Sequence, residues 1–382
     1  MNHPWYTSYQ TGVPHTIDPN QYISLNALLL ESVEKYATRN ALEFMGSAMT
    51  YQELYTKSLA FAAFLQNLPQ FTPQCRVALM MPNCLQYPVA LFGTLLSGAT
   101  VVNVNPLYTA EELKGILQDS GAQVIVVLAQ FAHVVEAILP QTLLRTVIVT
   151  KVPDLLSPLK RVLINTVLAL KRAIPAYHLP HCTFPEVLQV GAKQRWKNPE
   201  LNHESIAFLQ YTGGTTGKSK AAVLTHRNMI ANVLQAGAWI EPIRHRLEGR
   251  GAIITALPLY HIFSLTANCL TFLRFGISNR LIINPRDFKQ FIKELKRGPF
   301  CAITGVNTLF NALMLQPDFK TVDFSSLAIT LGGGMAVQQA VAQKWKEITG
   351  NVLIEAYGLT ETSPAACISF TRLIMTRSNS GK

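Results

Sequence analysis

The chain has 382 residues, which is enough for two or three domain-sized units with a buried core. Hydrophobic residues make up 49% and charged residues 14% of the sequence, a composition that excludes an intrinsically disordered protein. The net charge of +11, from 33 basic and 22 acidic residues, suits an anionic membrane surface, a polyanionic small substrate or nucleic acid.

Nucleic acid is the weakest of these three partners. The sequence has no arginine-rich run with interleaved aromatic residues and no zinc-finger or RNA-binding signature. Its six cysteines are far apart, without metal-ligand or Cys-x-x-Cys spacing. No signal peptide is recognisable in the first residues, and no run of eighteen apolar residues occurs. We therefore expect a cytosolic protein with reduced thiols.

Helices and strands alternate in the first part of the chain, after a polar opening segment, residues 1–24. Buried-strand patterns and helical spacings follow one another there, as in parallel βαβ units whose two sheet faces are covered. A capping box, Thr-Ala-Glu-Glu at 109–112, marks one helix start. The predicted helices are 25–37, 51–65, 82–97, 109–119 and 134–139, and the predicted strands are 76–81, 100–104, 123–128 and 146–150.

The alternation resumes in the second part of the chain. The predicted helices there are 226–239, 263–275, 287–296, 307–315 and 336–348, and the predicted strands are 252–257, 280–283, 301–304, 327–331 and 352–356. Two series of this kind predict an α/β fold with two sheet halves, in which ligands bind near the carboxyl ends of strands.

Residues 151–197 interrupt this rhythm as a basic insertion. Eight Lys or Arg face only two acids there, Asp154 and Glu186, for a net charge of +6. Basic pairs flank the apolar run 162–170, which is too short to cross a bilayer but suited to lie on an anionic one. A solvated helical insertion is an equally good interpretation of the same pattern.

Residues 211–226 have the composition of a phosphate-binding loop. Glycines allow backbone N–H groups to approach an anion, and threonine hydroxyls and two lysines add donors and charge. The Walker A spacing fails, because its first glycine position is occupied by Thr212. The alternative is a flexible surface hairpin.

Three further segments follow predicted strands. Leu-Pro-Leu-Tyr-His-Ile-Phe at 257–263 places an aromatic residue beside His261, and Gly-Gly-Gly-Met at 332–335 lets backbone press against a planar ring. Glu-Ala-Tyr-Gly-Leu-Thr-Glu-Thr at 355–362 offers Thr360 and Glu361 to a phosphate oxygen and Mg²⁺.

These motifs resemble the adenylate-forming superfamily, most closely the bacterial long-chain fatty acid:CoA ligases, from about Trp5 to Ala366. Ile-Thr-Gly-Val-Asn-Thr-Leu-Phe at 303–310 and Val-Asn-Val-Asn-Pro-Leu-Tyr at 102–108 add to the likeness. The resemblance implies two half-reactions. A fatty carboxylate attacks the α-phosphate of ATP and releases pyrophosphate, and the thiol of CoA then displaces AMP.

The resemblance also implies roles for individual residues. Thr212 to Lys220 would hold the departing pyrophosphate, Glu361 would bind Mg²⁺ with Thr216, and His261 would line the path of the carboxylate. The implied catalytic residues are Thr215, Lys220, His261 and Glu361. The implied nucleotide-binding residues are Tyr211, Thr212, Gly213, Gly214, Thr215, Thr216, Gly217, Lys218, Gly332, Gly333, Gly334, Tyr357, Gly358 and Thr360.

An apolar tunnel for the acyl chain is expected as well. Val306, Leu309, Phe310 and Leu313 are candidate wall residues, although their spacing equally fits a core helix. The expected location is the cytoplasm, with a peripheral position on the inner face of the membrane left open, as is a homodimer.

The sequence departs from the family pattern in two places. Ala221 follows Lys220 where the family has glycine, which would strain the loop if that position required a positive φ. After Tyr-Gly-Leu-Thr-Glu the family continues through a ribose-binding aspartate, a hinge and a mobile carboxyl-terminal domain, and here Ser363 to Lys382 contains no acid. We therefore expect an adenylation domain at 25–366, an atypical tail at 367–382 that results from a frameshift or a truncation, and a chain impaired in thioester formation.

Two alternatives stay open at this point. One is a ligase for aromatic or shorter acids, and the other is a non-catalytic remnant that binds nucleotide, acyl chain or membrane.

Overall fold

The computed structural model describes residues 3–212 and 219–368. Helices pack around two sheets, and elements are numbered in chain order. The strands are β1 Asn40–Phe44, β2 Ser47–Thr50, β3 Arg76–Met80, β4 Thr100–Asn103, β5 Val124–Leu128, β6 Thr146–Thr150, β7 Cys182–Thr183, β8 Ile206–Thr212, β9 Lys220–Thr225, β10 Ala252–Thr255, β11 Asn279–Leu281, β12 Phe300–Gly305, β13 Ile329–Gly332, β14 Leu353–Gly358 and β15 Ala365–Ile368.

The α-helices are distributed along the whole described chain. They are α1 Leu25–Tyr36, α2 Tyr51–Gln66, α3 Gln86–Ser97, α4 Ala110–Ser120, α5 Ala132–Ile138, α6 Pro158–Leu170, α7 Phe184–Gly191, α8 His226–Ile240, α9 Ile262–Ser264, α10 Thr271–Arg274, α11 Phe288–Leu295, α12 Asn307–Met314 and α13 Gln339–Thr349. A π-helical stretch, Leu265–Leu270, joins α9 to α10.

Each sheet is parallel in its interior and antiparallel at an edge. The first sheet has the order β7-β6-β5-β3-β4-β8-β9, and the second has the order β15-β14-β13-β12-β10-β11-β1-β2. The antiparallel pairs are β8 with β9, β14 with β15, and β1 with β2. The predicted α/β architecture with two sheet halves is confirmed.

Local sequence signals explain most element boundaries. Thr109 accepts a hydrogen bond from the Glu112 N–H while the Glu112 carboxylate accepts one from the Thr109 N–H, so the predicted capping box starts α4. Thr50 and Thr225 start α2 and α8 with the same reciprocal arrangement. Gly98 ends α3 in the left-handed conformation that glycine adopts without strain.

The differences from the sequence prediction include the start of one helix and the presence of one hairpin. The helix predicted from residue 82 begins at Gln86, because the Asn83 side chain bonds the backbone of the second sheet's 255–259 segment instead. The β1–β2 hairpin was not predicted. It joins the second sheet through parallel pairing of β1 with β11, although it precedes every strand of the first sheet.

The largest apolar cluster connects the two sheets. It contains Leu79 and Phe208 from the first sheet and Leu42 and Leu281 from the second, together with the buried face of α3. The two halves therefore share one continuous core, and residues at their facing edges are held at fixed separations. Among the described helices, none combines the length and apolar character needed to cross a bilayer.

A buried histidine links the start of α1 to the start of α8. His226 is 1% exposed, and its Nδ1 accepts a hydrogen bond of 3.1 Å from the Leu25 N–H. Burial, with a smaller contribution from nearby His203, lowers the pKa of His226 to about 4. The ring is therefore neutral at physiological pH, as its acceptor role requires.

We expect His226 to make the fold sensitive to acid. The unfolded chain takes up a proton on this ring near pH 6.5 but the folded chain only near pH 4. Neutral His226 therefore contributes fully to the free energy of unfolding above about pH 6.5. About 3 kcal/mol of that free energy is lost as the pH falls toward 4. In His226→Asn, whose amide oxygen can replace Nδ1 as acceptor, the free energy of unfolding should fall less between pH 7 and pH 4.5.

Urea titrations at several pH values measure this free energy, and His245→Asn, at an exposed histidine, is the control. An unchanged pH slope in His226→Asn would contradict the assignment.

Candidate active site

A cleft of about 400 Å³ opens where β8, β13 and β14 end. Its walls also include α8, the segment after β10, and the turn between β14 and β15. The cleft brings together eight of the residues that the sequence singled out: Thr212, His261, Gly333, Gly334, Tyr357, Gly358, Thr360 and Glu361. Its position at the carboxyl ends of strands is the one expected for an α/β fold.

The centre of the predicted phosphate loop lies outside the described residues. This applies to Gly213, Gly214, Thr215, Thr216, Gly217 and Lys218. The structure does define both ends of this connection. Thr212 of β8 pairs with Lys220 of β9, and its hydroxyl donates to the Lys220 carbonyl at 3.4 Å. Because Thr212 lines the cleft, the predicted loop is connected to the chain directly at the cleft wall.

The residues next to this pair on β8 and β9 differ in their surroundings. The Tyr211 hydroxyl donates to the Asp119 carboxylate at 2.5 Å, and burial is the main cause that raises its pKa. The structure thus places the Tyr211 side chain in the core at the end of α4, and Tyr211 is not among the residues that line the cleft. Lys220 is exposed at the start of β9. Ala221 is paired with Tyr211 as ordinary extended strand, so the strain expected from a positive φ is absent at this described residue.

His261 lies at the surface of the cleft, at the start of α9. Its Nδ1 accepts a hydrogen bond from the Phe263 N–H at 3.3 Å, which places the proton of the neutral ring on Nε2. Surrounding atoms desolvate the ring and lower its pKa. His261 therefore presents a neutral N–H donor to the cleft at physiological pH.

Buried side chains of the first half hold the segment that carries His261. The Asn83 amide donates to the carbonyls of Thr255 and Leu257 at 2.9 and 3.0 Å and accepts from the Leu259 N–H at 2.8 Å. The Gln210 amide donates to the Tyr260 carbonyl at 2.9 Å. Sequence reasoning missed both residues. The sequence signal that could have identified them is an amide side chain within an otherwise apolar, buried segment, because a buried polar group needs a hydrogen-bond partner.

A second pair of side chains extends this arrangement. Asn103 of β4 donates to the Gln210 side-chain oxygen at 3.0 Å, and the Tyr87 hydroxyl lies 2.6 Å from Asn103 Oδ1 and 2.8 Å from the Leu259 carbonyl. We call Asn83, Tyr87, Asn103 and Gln210 the amide network. It fixes the His261 segment relative to β8, the strand that leads into the phosphate loop.

The three consecutive glycines occupy different environments. Gly332 pairs within the second sheet, and a Cβ there would meet Leu353 and Val337 at 2.8 and 2.7 Å, so it serves close packing and does not line the cleft. Gly333 does line the cleft, where a Cβ would lie 3.1 Å from the Phe263 ring. Gly334 has a φ of +75°. The two cleft glycines leave a flat backbone surface, which a planar ring could approach.

The segment with Thr360 and Glu361 is held by side chains that the sequence did not reveal. The buried Asn232 amide of α8 donates to the Ala365 carbonyl at 2.8 Å and accepts from the Ala365 N–H at 3.1 Å. Thr266, in the π-helical stretch, donates to the Ser363 carbonyl at 3.1 Å. Gly358 is required because a Cβ would lie 1.8 Å from the Pro364 carbonyl oxygen. These contacts fix the turn that exposes the Glu361 carboxylate at the cleft.

The donor set at Glu361 fits a Mg²⁺ ion that is shared with a phosphate. Within residues 3–212 and 219–368, no three His, Cys, Asp or Glu side chains are grouped as a metal centre. Mg²⁺ usually takes one or two carboxylates and completes its shell with water and substrate phosphates. One exposed carboxylate beside Thr360 suits that mode of binding.

A small apolar cavity of about 70 Å³ adjoins the cleft. Four residues line both spaces: Ala236, Ala267, Leu331 and Ile368. The walls that the cavity does not share with the cleft include Trp239, Ile243 and Phe272. Three of the four predicted tunnel-wall residues lie on α12 and do not line this cavity, whereas Val306 precedes α12 beside Gly334 of the cleft. Leu309, Phe310 and Leu313 belong to the core around Trp345, with the Phe310 and Trp345 ring centroids 4.8 Å apart.

Comparison with known proteins gives a consistent result. The family model described as AMP-binding enzyme matches residues 29–381. The chain is 50% identical over 371 residues to a long-chain-fatty-acid–CoA ligase of Escherichia coli O157:H7, covering 97% of this chain and 66% of that protein. It is 31% identical to the ligase of the same name from Bacillus subtilis, covering 96% and 65%. The chain therefore spans slightly less than two thirds of the length of these relatives.

Solved structures show the same fold at low sequence identity. The anthranilate CoA ligase AuaEII in complex with anthranoyl-AMP has a TM-score of 0.77 and 20% identity, covering 92% of this chain and 64% of that one. A long-chain-fatty-acid–CoA ligase from Archaeoglobus fulgidus has a TM-score of 0.75 and 21% identity, covering 96% and 69%. Given the family match across most of its length and its 50% identity to curated relatives, the chain belongs to the AMP-binding enzyme family.

Proposed function

We propose that this chain carries the acid-activating site of a long-chain fatty acid:CoA ligase. In the first half-reaction, a fatty carboxylate oxygen attacks the α-phosphorus of ATP and pyrophosphate leaves. In the second, the CoA thiol attacks the acyl carbon and AMP leaves. The observation that carries the proposal is the cleft that brings His261, Thr360 and Glu361 together beside an apolar cavity, in a chain 50% identical to proteins of that name.

Each part of the cleft suits one part of these substrates. Gly333, Gly334 and Tyr357, whose side chain is 64% exposed, would frame the adenine ring. Thr360 would contact the α-phosphate, and the loop from Thr212 to Lys220 would hold the pyrophosphate. Mg²⁺ held by Glu361, with Thr216 as a further candidate ligand, would neutralise charge on the phosphates.

The protonation state of His261 suits a residue that lines the path of the fatty carboxylate. A neutral imidazole with its proton on Nε2 can donate a hydrogen bond without trapping the nucleophile in an ion pair. Catalysis would then rest on positioning, because the amide network and the hydrogen bonds of Asn232 to Ala365 fix the groups around the reacting atoms before substrates bind.

A second cavity gives the thiol substrate a separate approach. It has a volume of about 540 Å³ and includes Pro258 and Tyr260, next to His261 of the cleft. Pro106, Leu107 and exposed Arg286 contribute further walls. An apolar channel with a cation beside it would suit the pantetheine arm and phosphates of CoA.

Two alternative functions differ in what the site would bind. A ligase for aromatic or shorter acids is favoured by the small volume of the apolar cavity, about 70 Å³. Competition between palmitate and cinnamate for adenylation separates it from the long-chain ligase. A non-catalytic remnant would bind ATP in calorimetry without releasing pyrophosphate. An anionic membrane surface and a second copy of the chain stay predicted partners.

The nucleotide site is tested by a stable mimic of the acyl-adenylate. We expect palmitoyl-sulfamoyl-adenosine to bind the chain, and Gly333→Val to weaken binding at least tenfold, about 1.4 kcal/mol, because the side chain fills the flat surface beside Phe263. Isothermal titration calorimetry measures the affinity. Gly115→Val, on the exposed side of α4 with open space around its Cβ position, is the matched control. Equal affinity for both variants would disprove the proposed adenine site.

The acyl site is tested at Trp239, which lines the apolar cavity but not the cleft. We expect Trp239→Ala to enlarge the cavity and to raise the preference for a stearoyl over a palmitoyl analogue. Two further buried methylenes contribute about 1.6 kcal/mol, or roughly tenfold in relative affinity. Exposed Trp5→Ala is the control. If the ratio of the two affinities stays the same in Trp239→Ala, the acyl chain lies elsewhere.

A further inference from the structure

Helix α6 turns its apolar side chains to solvent. Five of them are between 40% and 85% exposed: Leu159, Val162, Leu163, Val167 and Leu170. None of the thirteen residues of α6, all of which the structure describes, is buried. A helix on the surface of a soluble protein normally directs its apolar stripe inward, so this arrangement is the reverse of the usual one.

The exposed residues form one continuous face. Their spacings of three and four residues place them on a single side of the helix. We call Leu159, Val162, Leu163, Val167 and Leu170 the α6 stripe. Contiguous apolar surface of this kind in a folded protein marks a place where another apolar phase or partner covers it.

Polar contacts on the inward side fix which face is exposed. The Lys160 ammonium donates to the carbonyls of Met45 and Gly46 at 3.0 and 2.6 Å and to the Ser47 hydroxyl at 3.1 Å. Ile164, one turn further, packs partly buried against the main core. Lys160 holds α6 to the β1–β2 turn and Ile164 holds it to the core, so the α6 stripe cannot rotate inward without breaking three hydrogen bonds.

Charge around the stripe selects an anionic partner. Exposed Arg161 lies within α6, and exposed Lys171 and Arg172 follow its last residue. The segment 151–197 carries eight basic and two acidic residues, a net charge of +6. Two copies of the chain meeting at this surface would bring like charges together, which disfavours self-association.

We propose that the α6 stripe inserts into the headgroup boundary of an anionic phospholipid bilayer, with Arg161, Lys171 and Arg172 beside lipid phosphates. Thirteen residues are too few to span a bilayer, which needs about 20. Apolar side chains on one face with neighbouring cations are the combination that binds at the surface plane of a membrane. This surface goes beyond the acid-activating site and does not depend on it.

The test is sedimentation of the full chain with large vesicles. Vesicles of phosphatidylglycerol and phosphatidylcholine should bind the chain, and binding should weaken at least tenfold in the triple variant Leu159→Ser, Leu163→Ser, Leu170→Ser. The control carries the same change at three exposed positions elsewhere, Ile23, Leu143 and Leu315. Because none of these residues is buried, thermal unfolding should be unchanged in both variants, which separates lost docking from lost folding.

Two further measurements complete the test. Replacing Arg161, Lys171 and Arg172 with glutamine should reduce binding to anionic vesicles and its dependence on salt. Pure phosphatidylcholine vesicles should bind weakly. Equal binding to both vesicle types, equal loss in the control variant, or a dimer in light scattering that becomes monomeric in the α6 triple variant would each overturn the proposal.

Discussion

Hydrogen bonding of a few buried amides to backbone is the constraint on which the cleft depends. The segment from Ala256 to Tyr260 follows β10 without regular sheet pairing, yet side chains of the first half bond its backbone. Its carbonyls and N–H groups must find partners, because an unsatisfied buried polar group costs about 1–3 kcal/mol. Asn83 and Gln210 provide those partners from the first half, and so couple the position of the His261 segment to that of β8.

The opposite wall of the cleft is built on close backbone approach. Gly333 and Gly358 stand where any Cβ would meet a ring or a carbonyl oxygen, at 3.1 and 1.8 Å. Asn232 then binds both polar groups of Ala365. The turn that carries Glu361 is therefore held by main-chain contacts that tolerate no side chain, while the groups that would touch substrate remain exposed. A rigid frame with accessible functional groups suits a reaction that depends on positioning.

The helix α6 shows that burial and apolar character need not coincide. Most apolar residues of the chain enter one of the cores, where they are shielded on all sides. On α6, an inward lysine takes the place that an apolar residue would normally fill, and the leucines are left outside. The hydrogen bonds of Lys160 and the exposure of the α6 stripe thus both result from one orientation of the helix.

Much of the architecture follows from local sequence patterns. Helical and strand periodicities, with caps such as Thr109 and Glu112, are short-range signals, and they predicted the alternation of elements and the two sheets. The motifs around Thr212, His261, Gly333 and Glu361 were also recognisable, because each stands directly after a strand, and parallel strands end at a common edge.

Only the tertiary structure decided which residues face that edge. Neighbours on a strand point to opposite sides, so Thr212 lines the cleft while Tyr211 packs in the core and its hydroxyl bonds exposed Asp119. The partners of Asn83 and Asn232 lie more than 130 residues away in the chain, and the β1–β2 hairpin pairs with a strand from the second half. The sequence by itself determined the elements and the chemistry of the motifs. The fold decided their pairing, the true walls of the apolar cavity and the outward face of α6, because these depend on contacts between distant segments that no local pattern encodes.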